Sequence, residues 1–430
     1  MVDLSTVRLA DVAELSGGFA FKSEQYRPSG HFVLRTINIR EDCSISRNGS
    51  AFIAESEAQE FSRFALREHD TLFVMVGATL GKIGYIRSRD LPALLNQNMW
   101  VIRALPAKID PIFLHYCFRE LSKIPLAWVS GSARGFLRRD DVRNLTFSLP
   151  PIAEQRALGE LLKALDDKIE LNRRMNETLE ATARAIFKDW FIDFGPTRAK
   201  MEGRAPYLAP EIWSLFPDTL DEDGKPDGWS VGTLSHVANL NPESWSRANY
   251  PDSVDYVDLS NTKRGTIEST APYVSDAAPS RAQRILRPGD TIVGTVRPGN
   301  GSYAFVSAQG LTGSTGFGVL RPIQDIYREA VYLAATSKEN IDRLAHLADG
   351  GAYPAVRPEL VAATALVTAS EGVFSAFSCA TSGLIDREEA NKRENRTLAT
   401  TRDFLLPKLM SGEIRVRDVE KAAAAAANSP

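Results

Sequence analysis

The feature that most limits what this chain can fold into is a repeat. Leu9, Val12, Ala13 and Leu15 in VRLADVAEL return as Leu234, Val237, Ala238 and Leu240 in VGTLSHVANL. The segment HDTLFVMVGATLGKIGYI, from His69 to Ile86, faces GDTIVGTVRPGNGSYAFV, from Gly289 to Val306. Val101, Ile102 and Arg103 face Val319, Leu320 and Arg321. Finally LDDKIELNRRMNETLEAT faces LIDREEANKRENRTLATT, in which Asn172, Arg174, Asn176, Thr178, Leu179 and Thr182 recur as Asn391, Arg393, Asn395, Thr397, Leu398 and Thr401. The offset holds near roughly 220 residues and the echoes keep their order, as tandem duplication requires. A chain of 430 residues exceeds one ordinary core, and the repeat divides it into two diverged copies of one unit.

Each copy has a globular part and a helical part. The globular parts, 1–149 and 228–367, hold short apolar runs such as TLFVMVG, MWVIRAL, DTIVGTV and FGVLRP, bounded by Gly, Pro and Asn. These predict strands and loops with a few helices. Pro150-Pro151 then ends the strand pattern, proline being acceptable in a first helical turn, and Glu154 puts negative charge near the positive end of a helix dipole. From there Leu158, Leu162, Leu165, Ile169, Asn172, Asn176, Leu179, Ala183, Ile186 and Trp190 are spaced alternately by four and three, a coiled-coil seam. A helix over 152–191 would be about 60 Å long. One long amphipathic core helix is the blander alternative. The asparagines argue for pairing, because a seam Asn is costly unless it meets another polar group and it fixes register.

The expected fold is therefore α+β: two mixed α/β domains in tandem, each followed by a long helix, the helices pairing antiparallel. Leu165, Ile169, Asn172, Asn176 and Leu179 would meet Asn391, Asn395 and Leu398 in that pairing. The expected parts are 1–149, a central helix over 150–194, an irregular linker over 195–227, 228–367, a second helix over 368–415, and a tail over 416–430. The linker is rich in Pro, Gly and charge.

Function classes are narrowed mostly by exclusion. No apolar run reaches the roughly 20 residues of a membrane span, and the N-terminus lacks a signal-peptide pattern, so a cytoplasmic protein is expected. Cys43, Cys117 and Cys379 are scattered and the five histidines do not join them, which predicts no disulfide framework and no metal site. Gly77-Ala78-Thr79-Leu80-Gly81-Lys82 resembles a phosphate loop but is one residue short, and Ile83 stands where a hydroxyl is needed. Asn241-Pro242-Glu243-Ser244 lacks the second proline and the ring of a base-flipping methyltransferase motif. Glu222-Asp223-Gly224-Lys225 has the wrong spacing for a nuclease. No catalytic centre is expected.

At the seam helix the sequence meets a family. The stretch from Pro150 to Phe194, with GFAFKSEQY at 18–26, GATLGKIGYI, the linker pattern FPD…GKPDGW and LLPKLMSGEI at 405–414, resembles the specificity subunits of Type I restriction–modification systems. The resemblance implies two target-recognition domains separated by two helices that pack antiparallel. It implies a bipartite, asymmetric double-stranded DNA target, one half read by each domain across an unspecified gap. It further implies two modification subunits, which use S-adenosylmethionine, and restriction subunits, which use ATP and Mg²⁺; this chain would bind no cofactor itself. One departure stands out: where Pro150-Pro151 and Glu154-Gln155 open the first helix, the second copy has Ala369-Ser370 and Val373-Phe374. Ser370 before Glu371 is a substitute cap.

Bases are told apart by side chains of fixed donor and acceptor geometry, whereas phosphates are held by Lys, Arg and loop amides. The first domain offers Thr79, Lys82, Gln97, Asn98, Ser132, Arg134 and Arg138 in or beside glycine-rich loops, with 96–98 as the prime base-reading stretch. The second offers Arg281, Arg284, Thr295, Arg297, Asn300, Thr315, Tyr353 and Arg357. Each could instead be an ordinary solvated loop residue. Gly77, Gly81 and Gly131 are read as loop-shaping. Net charge is −3, low for a DNA binder, so charges must be segregated or partners must contribute. A coiled-coil adaptor without DNA affinity is the rival reading, and salt-dependent duplex binding separates the two.

Overall fold

The computed structural model describes residues 5–130, 137–351 and 353–418. It divides into two compact units, Met1–Glu170 with Arg396–Pro430, and Leu171–Asn395. In the first, Ala13–Gly17, Met99–Ala104, Thr71–Val74 and Ile83–Tyr85 pair in that order as an antiparallel sheet. Alternate side chains feed two cores. Phe73, Trp100 and Ile102 pack on one face, and Leu72, Val74, Met99 and Val101 on the other. Burial on both faces is why these strands read as continuous apolar runs without alternation. A second sheet joins Ala51–Ile53, His31–Leu34 and Ala93–Leu95, the last two parallel.

The second unit repeats the frame. Ala238–Leu240, Phe317–Pro322, Thr291–Gly294 and Tyr303–Phe305 pair in the same order. Its other sheet holds Ala271–Val274, Ser253–Val257, Leu311–Ser314 and Ala282–Ile285. The last strand lies where the first unit has a 3-10 segment, Gln59–Phe64. In each unit a two-stranded ribbon leads into the long helix: Ser5–Arg8 with Thr146–Leu149, and Ser230–Thr233 with Ala365–Thr368. The echoing residues Leu9, Val12, Ala13, Leu234, Val237 and Ala238 are all buried, each large one contributing about 1.5–3 kcal/mol.

One ion pair is duplicated with its surroundings. Arg103 donates through Nε and Nη2 to the two oxygens of Asp70, at 2.7 and 2.6 Å, and Asp70 also accepts from the Arg67 amide at 2.8 Å. Arg321 and Asp290 repeat the fork at 2.8 and 2.8 Å, with the Arg287 amide at 2.8 Å. The turn before each Asp needs a left-handed residue, His69 (φ 68°) in one unit and Gly289 (φ 92°) in the other. The sequence echoes around DT and around Val-Ile-Arg and Val-Leu-Arg are the two halves of this pair.

The long helices run Ile152–Phe191 and Glu371–Ser411. The second begins directly after Ser370, whose carbonyl accepts from the amides of Val373 and Phe374. Within the second unit the helices are antiparallel and joined by the asparagines. Asn172 Nδ2 donates to Asn395 Oδ1 at 3.0 Å and to Glu394 Oε2 at 2.7 Å. Asn391 Nδ2 donates to Asn176 Oδ1 at 2.8 Å. Asn172 and Asn391 are buried, Asn176 and Asn395 half-buried. Within the first unit Leu158 and Leu162 share a core with Leu406 and Leu409. There Asp166 accepts from Tyr116 Oη (2.8 Å) and Arg402 Nη1 (2.5 Å). Ile169 is buried, whereas Leu165, Leu179 and Leu398 are only half-buried. The first helix also buries Phe187 and Phe191, which lie off the predicted seam, in the core of the second unit. The segment 195–227 is less irregular than its composition predicts: prolines at the first turns start two short helices, Gly195–Met201 and Pro210–Trp213.

Candidate nucleic-acid interface

Two loops stand side by side at the end of the first unit's antiparallel sheet. The hairpin loop 75–82 closes with the Val74 amide on the Lys82 carbonyl at 2.9 Å. Gly77 (φ 87°) and Gly81 (φ 89°) take the left-handed conformations that let it turn. The second loop, 96–98, is tied to the first where the Met75 amide donates to the Asn98 carbonyl at 3.1 Å. The GFAFKSEQY stretch explains itself here. A side chain on Gly18 would lie 2.0 Å from the Asn96 carbonyl oxygen, so only glycine lets the two backbones meet. Phe19 and Phe21 pack on Phe61, and Tyr26 Oη accepts from Asn96 Nδ2 at 3.1 Å. Gln97 and Asn98 are exposed beyond this support, Asn98 at φ 72°. Thr79 is half-buried, and Lys82 is paired with Glu41 at 2.7 Å. Arg138 is exposed at the start of the helix Arg139–Arg143. Ser132 and Arg134, with Gly131, lie outside the described residues.

The second unit carries the same two loops on the same frame. Loop 295–302 closes with the Gly294 amide on the Ser302 carbonyl at 2.7 Å, and the Thr295 amide donates to the Gly316 carbonyl at 2.8 Å. A third segment joins them: the Val356 amide donates to the Thr295 carbonyl (2.9 Å) and the Arg297 amide to the Pro354 carbonyl (2.7 Å). Arg297, Asn300, Tyr353 and Arg357 are exposed on these segments. Arg281 is exposed and Thr315 half-buried, joined by a 2.8 Å bond from the Thr315 amide to the Arg281 carbonyl. Arg284 is half-buried. Its Nη1 donates to Ser244 Oγ at 3.1 Å, its Nε is buried without a partner, and burial lowers its pKa.

Thr295 is a correction. It is buried, and its hydroxyl donates to the Gly316 carbonyl at 2.8 Å, so its proton is committed to bracing the loop and burial withdraws it from a base. Two further arginines stand beside these loops. Arg35 lies over the Tyr26 ring at 5.7 Å with a buried, unpartnered Nε. Arg264 (φ 40°) and Gly265 (φ 86°) turn a two-residue hairpin between Thr262–Lys263 and Thr266–Ile267, and the Arg264 amide donates to the Gly301 carbonyl at 2.7 Å. The Arg-Gly dipeptide between two Thr-containing pairs was the available signal, since such loops need positive φ at both centres. The second long helix clamps this hairpin. Lys392 Nζ donates to the Gly265 carbonyl, to Glu388 and to Glu389, each at 2.7 Å. Burial pushes the Glu388 carboxyl above its ordinary range, with Lys392 opposing.

Among the described residues no group of His, Cys, Asp and Glu is arranged to hold a metal ion, and no helix is long and apolar enough to cross a membrane. The model of the Type I restriction modification DNA specificity domain matches residues 1–181. The Type I restriction enzyme HindI specificity subunit of Haemophilus influenzae is 24% identical over 323 residues, 64% of this chain and 70% of that one. The MjaIX specificity subunit of Methanocaldococcus jannaschii is 22% identical over 347 residues, 78% of this chain and 76% of that one. The crystal structure of a Type-I restriction-modification system S subunit from M. genitalium matches 95% of this chain and 96% of that one. Its TM-score is 0.57 at 14% identity, a likeness of fold. Residues 1–181 thus match the Type I restriction modification DNA specificity domain, and over most of its length the chain is similar to Type I restriction enzyme specificity subunits.

Proposed function

We propose that this chain reads a bipartite, asymmetric DNA sequence, one half with each unit, and that its long helices space the halves and dock two modification subunits, to which restriction subunits add. One observation carries this reading. The loops 75–82 and 295–302 are of equal length and close on equivalent strands, yet one presents Thr79 and Lys82 and the other Arg297 and Asn300. A common frame with unlike side chains is what two half-sites of unlike sequence require. Gln97 and Asn98 are assigned to base edges in the first half, and Arg281 and Arg284 to phosphates in the second. Among the described residues no carboxylate pairs with Arg284, so a phosphate is the natural counter-charge for a guanidinium that burial has already partly desolvated. Chemistry then belongs to the partners: adenine methylation with S-adenosylmethionine to the modification subunits, ATP- and Mg²⁺-dependent translocation and cleavage to the restriction subunits.

The test is duplex binding by the full chain with its modification subunit across a range of salt. Affinity should fall steeply with salt. Gln97→Ala should cost about 1–3 kcal/mol of discrimination at one position of one half-site and leave the other half intact. Equal loss on all duplexes would reassign Gln97 to the DNA backbone or to the fold. Binding that is absent, or indifferent to salt, would leave the adaptor reading.

A further inference from the structure

Arg297 sits where an arginine should not. It precedes Pro298, and a residue before proline is driven toward extended backbone, yet its φ and ψ are 47° and 57°. A left-handed conformation at a non-glycine residue is held only where the surroundings over-determine it, and such residues gather at functional sites. The surroundings here do over-determine it. The Arg297 amide donates to the Pro354 carbonyl at 2.7 Å and its carbonyl accepts from the Asn300 amide at 2.9 Å. Gly301 (φ 73°) then closes the loop onto Arg264, itself left-handed.

The strained backbone delivers the guanidinium to a ring. Its central carbon lies 4.6 Å from the centroid of Tyr353, which is 72% exposed. An aromatic ring left that open serves no core. A guanidinium held over a ring has fewer directions open to its fork than one free in solvent. Phosphates ask little of the plane of that fork, because a flexible cation reaches them from many directions. A guanine asks a great deal, because its O6 and N7 are met by two parallel N–H bonds in the plane of the base. Resting on the DNA reading above, we propose that Arg297, laid on Tyr353, reads a guanine in the half-site of the second unit.

The experiment selects duplexes from a library with randomised positions, using the full chain with its modification subunit, and compares Arg297→Ala, Arg297→Lys, Tyr353→Phe and Tyr353→Ala. The unaltered chain should require a G·C pair at one position of the second half. Arg297→Ala should lose about 10- to 100-fold of discrimination there. Arg297→Lys should keep part of it. Tyr353→Phe should match the unaltered chain, because the ring and not the hydroxyl does the stacking, whereas Tyr353→Ala should relax the same position. The first half-site, read by the same molecules, reports that the variants are folded. An unchanged sequence preference in Arg297→Ala, or a uniform loss on all duplexes, overturns the assignment while leaving the DNA reading in place. Selection of no defined sequence by the unaltered chain overturns both.

Discussion

The duplicated Asp–Arg fork allows one perturbation to be made twice with a predictable difference. Asp70→Asn keeps the shape of the side chain and removes its charge. Arg103 then loses its counter-charge and one of the two fork bonds, since Asn keeps one acceptor oxygen and puts an NH2 group at the other, and it keeps the Ala65 carbonyl, 3.1 Å from its Nη2. Breaking a buried pair by altering one partner costs about 3–5 kcal/mol. Asp70 is 1% exposed but the Arg103 side chain is 22% exposed, so water partly rescues the arginine and about 3 kcal/mol is the reasoned value. The second unit differs in one respect. Arg321 also pairs with Glu243, which Arg287 holds from the other side at 2.6 and 2.7 Å. After Asp290→Asn the arginine still has a carboxylate, and the loss should shrink to about 1–2 kcal/mol.

Because two units do not unfold as one transition, the measurement must resolve them. Amide hydrogen exchange of Thr71–Val74 and Thr291–Gly294 does so within the same full-length sample. Asp70→Asn should speed exchange in Thr71–Val74 by about two decades and Asp290→Asn should speed it in Thr291–Gly294 by about one, each leaving the other strand unchanged. Equal effects, or a larger effect in the second unit, would mean that Glu243 does not share the load. An effect below about threefold from Asp70→Asn would mean that the fork itself adds little to burial.

Asn172→Ala removes donors to Asn395 and Glu394 and should cost the second unit about 1–2 kcal/mol. Asn172→Leu should cost less, since both variants remove the unpartnered Oδ1 but only leucine refills the space the amide occupied; a larger loss for Leu than for Ala in exchange or melting would contradict this account. His115 is buried with its ring beside Thr71 Oγ1 at 3.2 Å, and burial holds its pKa well below the ordinary value. A neutral His in the fold that protonates in the unfolded chain gives stability that is full above about pH 6.5 and is lost as pH falls below it. The first unit should therefore loosen progressively as pH falls below about 6.5, and His115→Gln should flatten that dependence; an unchanged slope in exchange or melting would assign the acid sensitivity to other groups.

How much of this was legible from residues alone depends on whether a partner is near in sequence or in kind. Asn172 and Asn391 were readable because a polar residue at an apolar seam position demands a polar partner, and the repeat supplied one. Asp70 and Arg103 were visible only as echoes; nothing local says that an aspartate after a turn and an arginine far along the chain grip each other, and only duplication marks both as kept. Thr295 misled for the opposite reason. A threonine among glycines has the composition of an exposed loop, but its hydroxyl is used up by a carbonyl from a loop distant in sequence. Arg264 was missed because turn chemistry looks for Asn, Asp or Gly at positive φ, and an arginine there is tolerated only with outside support, which here comes from Gly301 and from Lys392 on the second long helix. Lys392 recurs in sequence as Arg173, beside the seam asparagines, so the hairpin carrying Arg264 hangs from a helix position adjacent to the register-fixing pair. Lys392 and the Arg264 amide thus join that helix segment, through the hairpin, to the Gly301 end of loop 295–302.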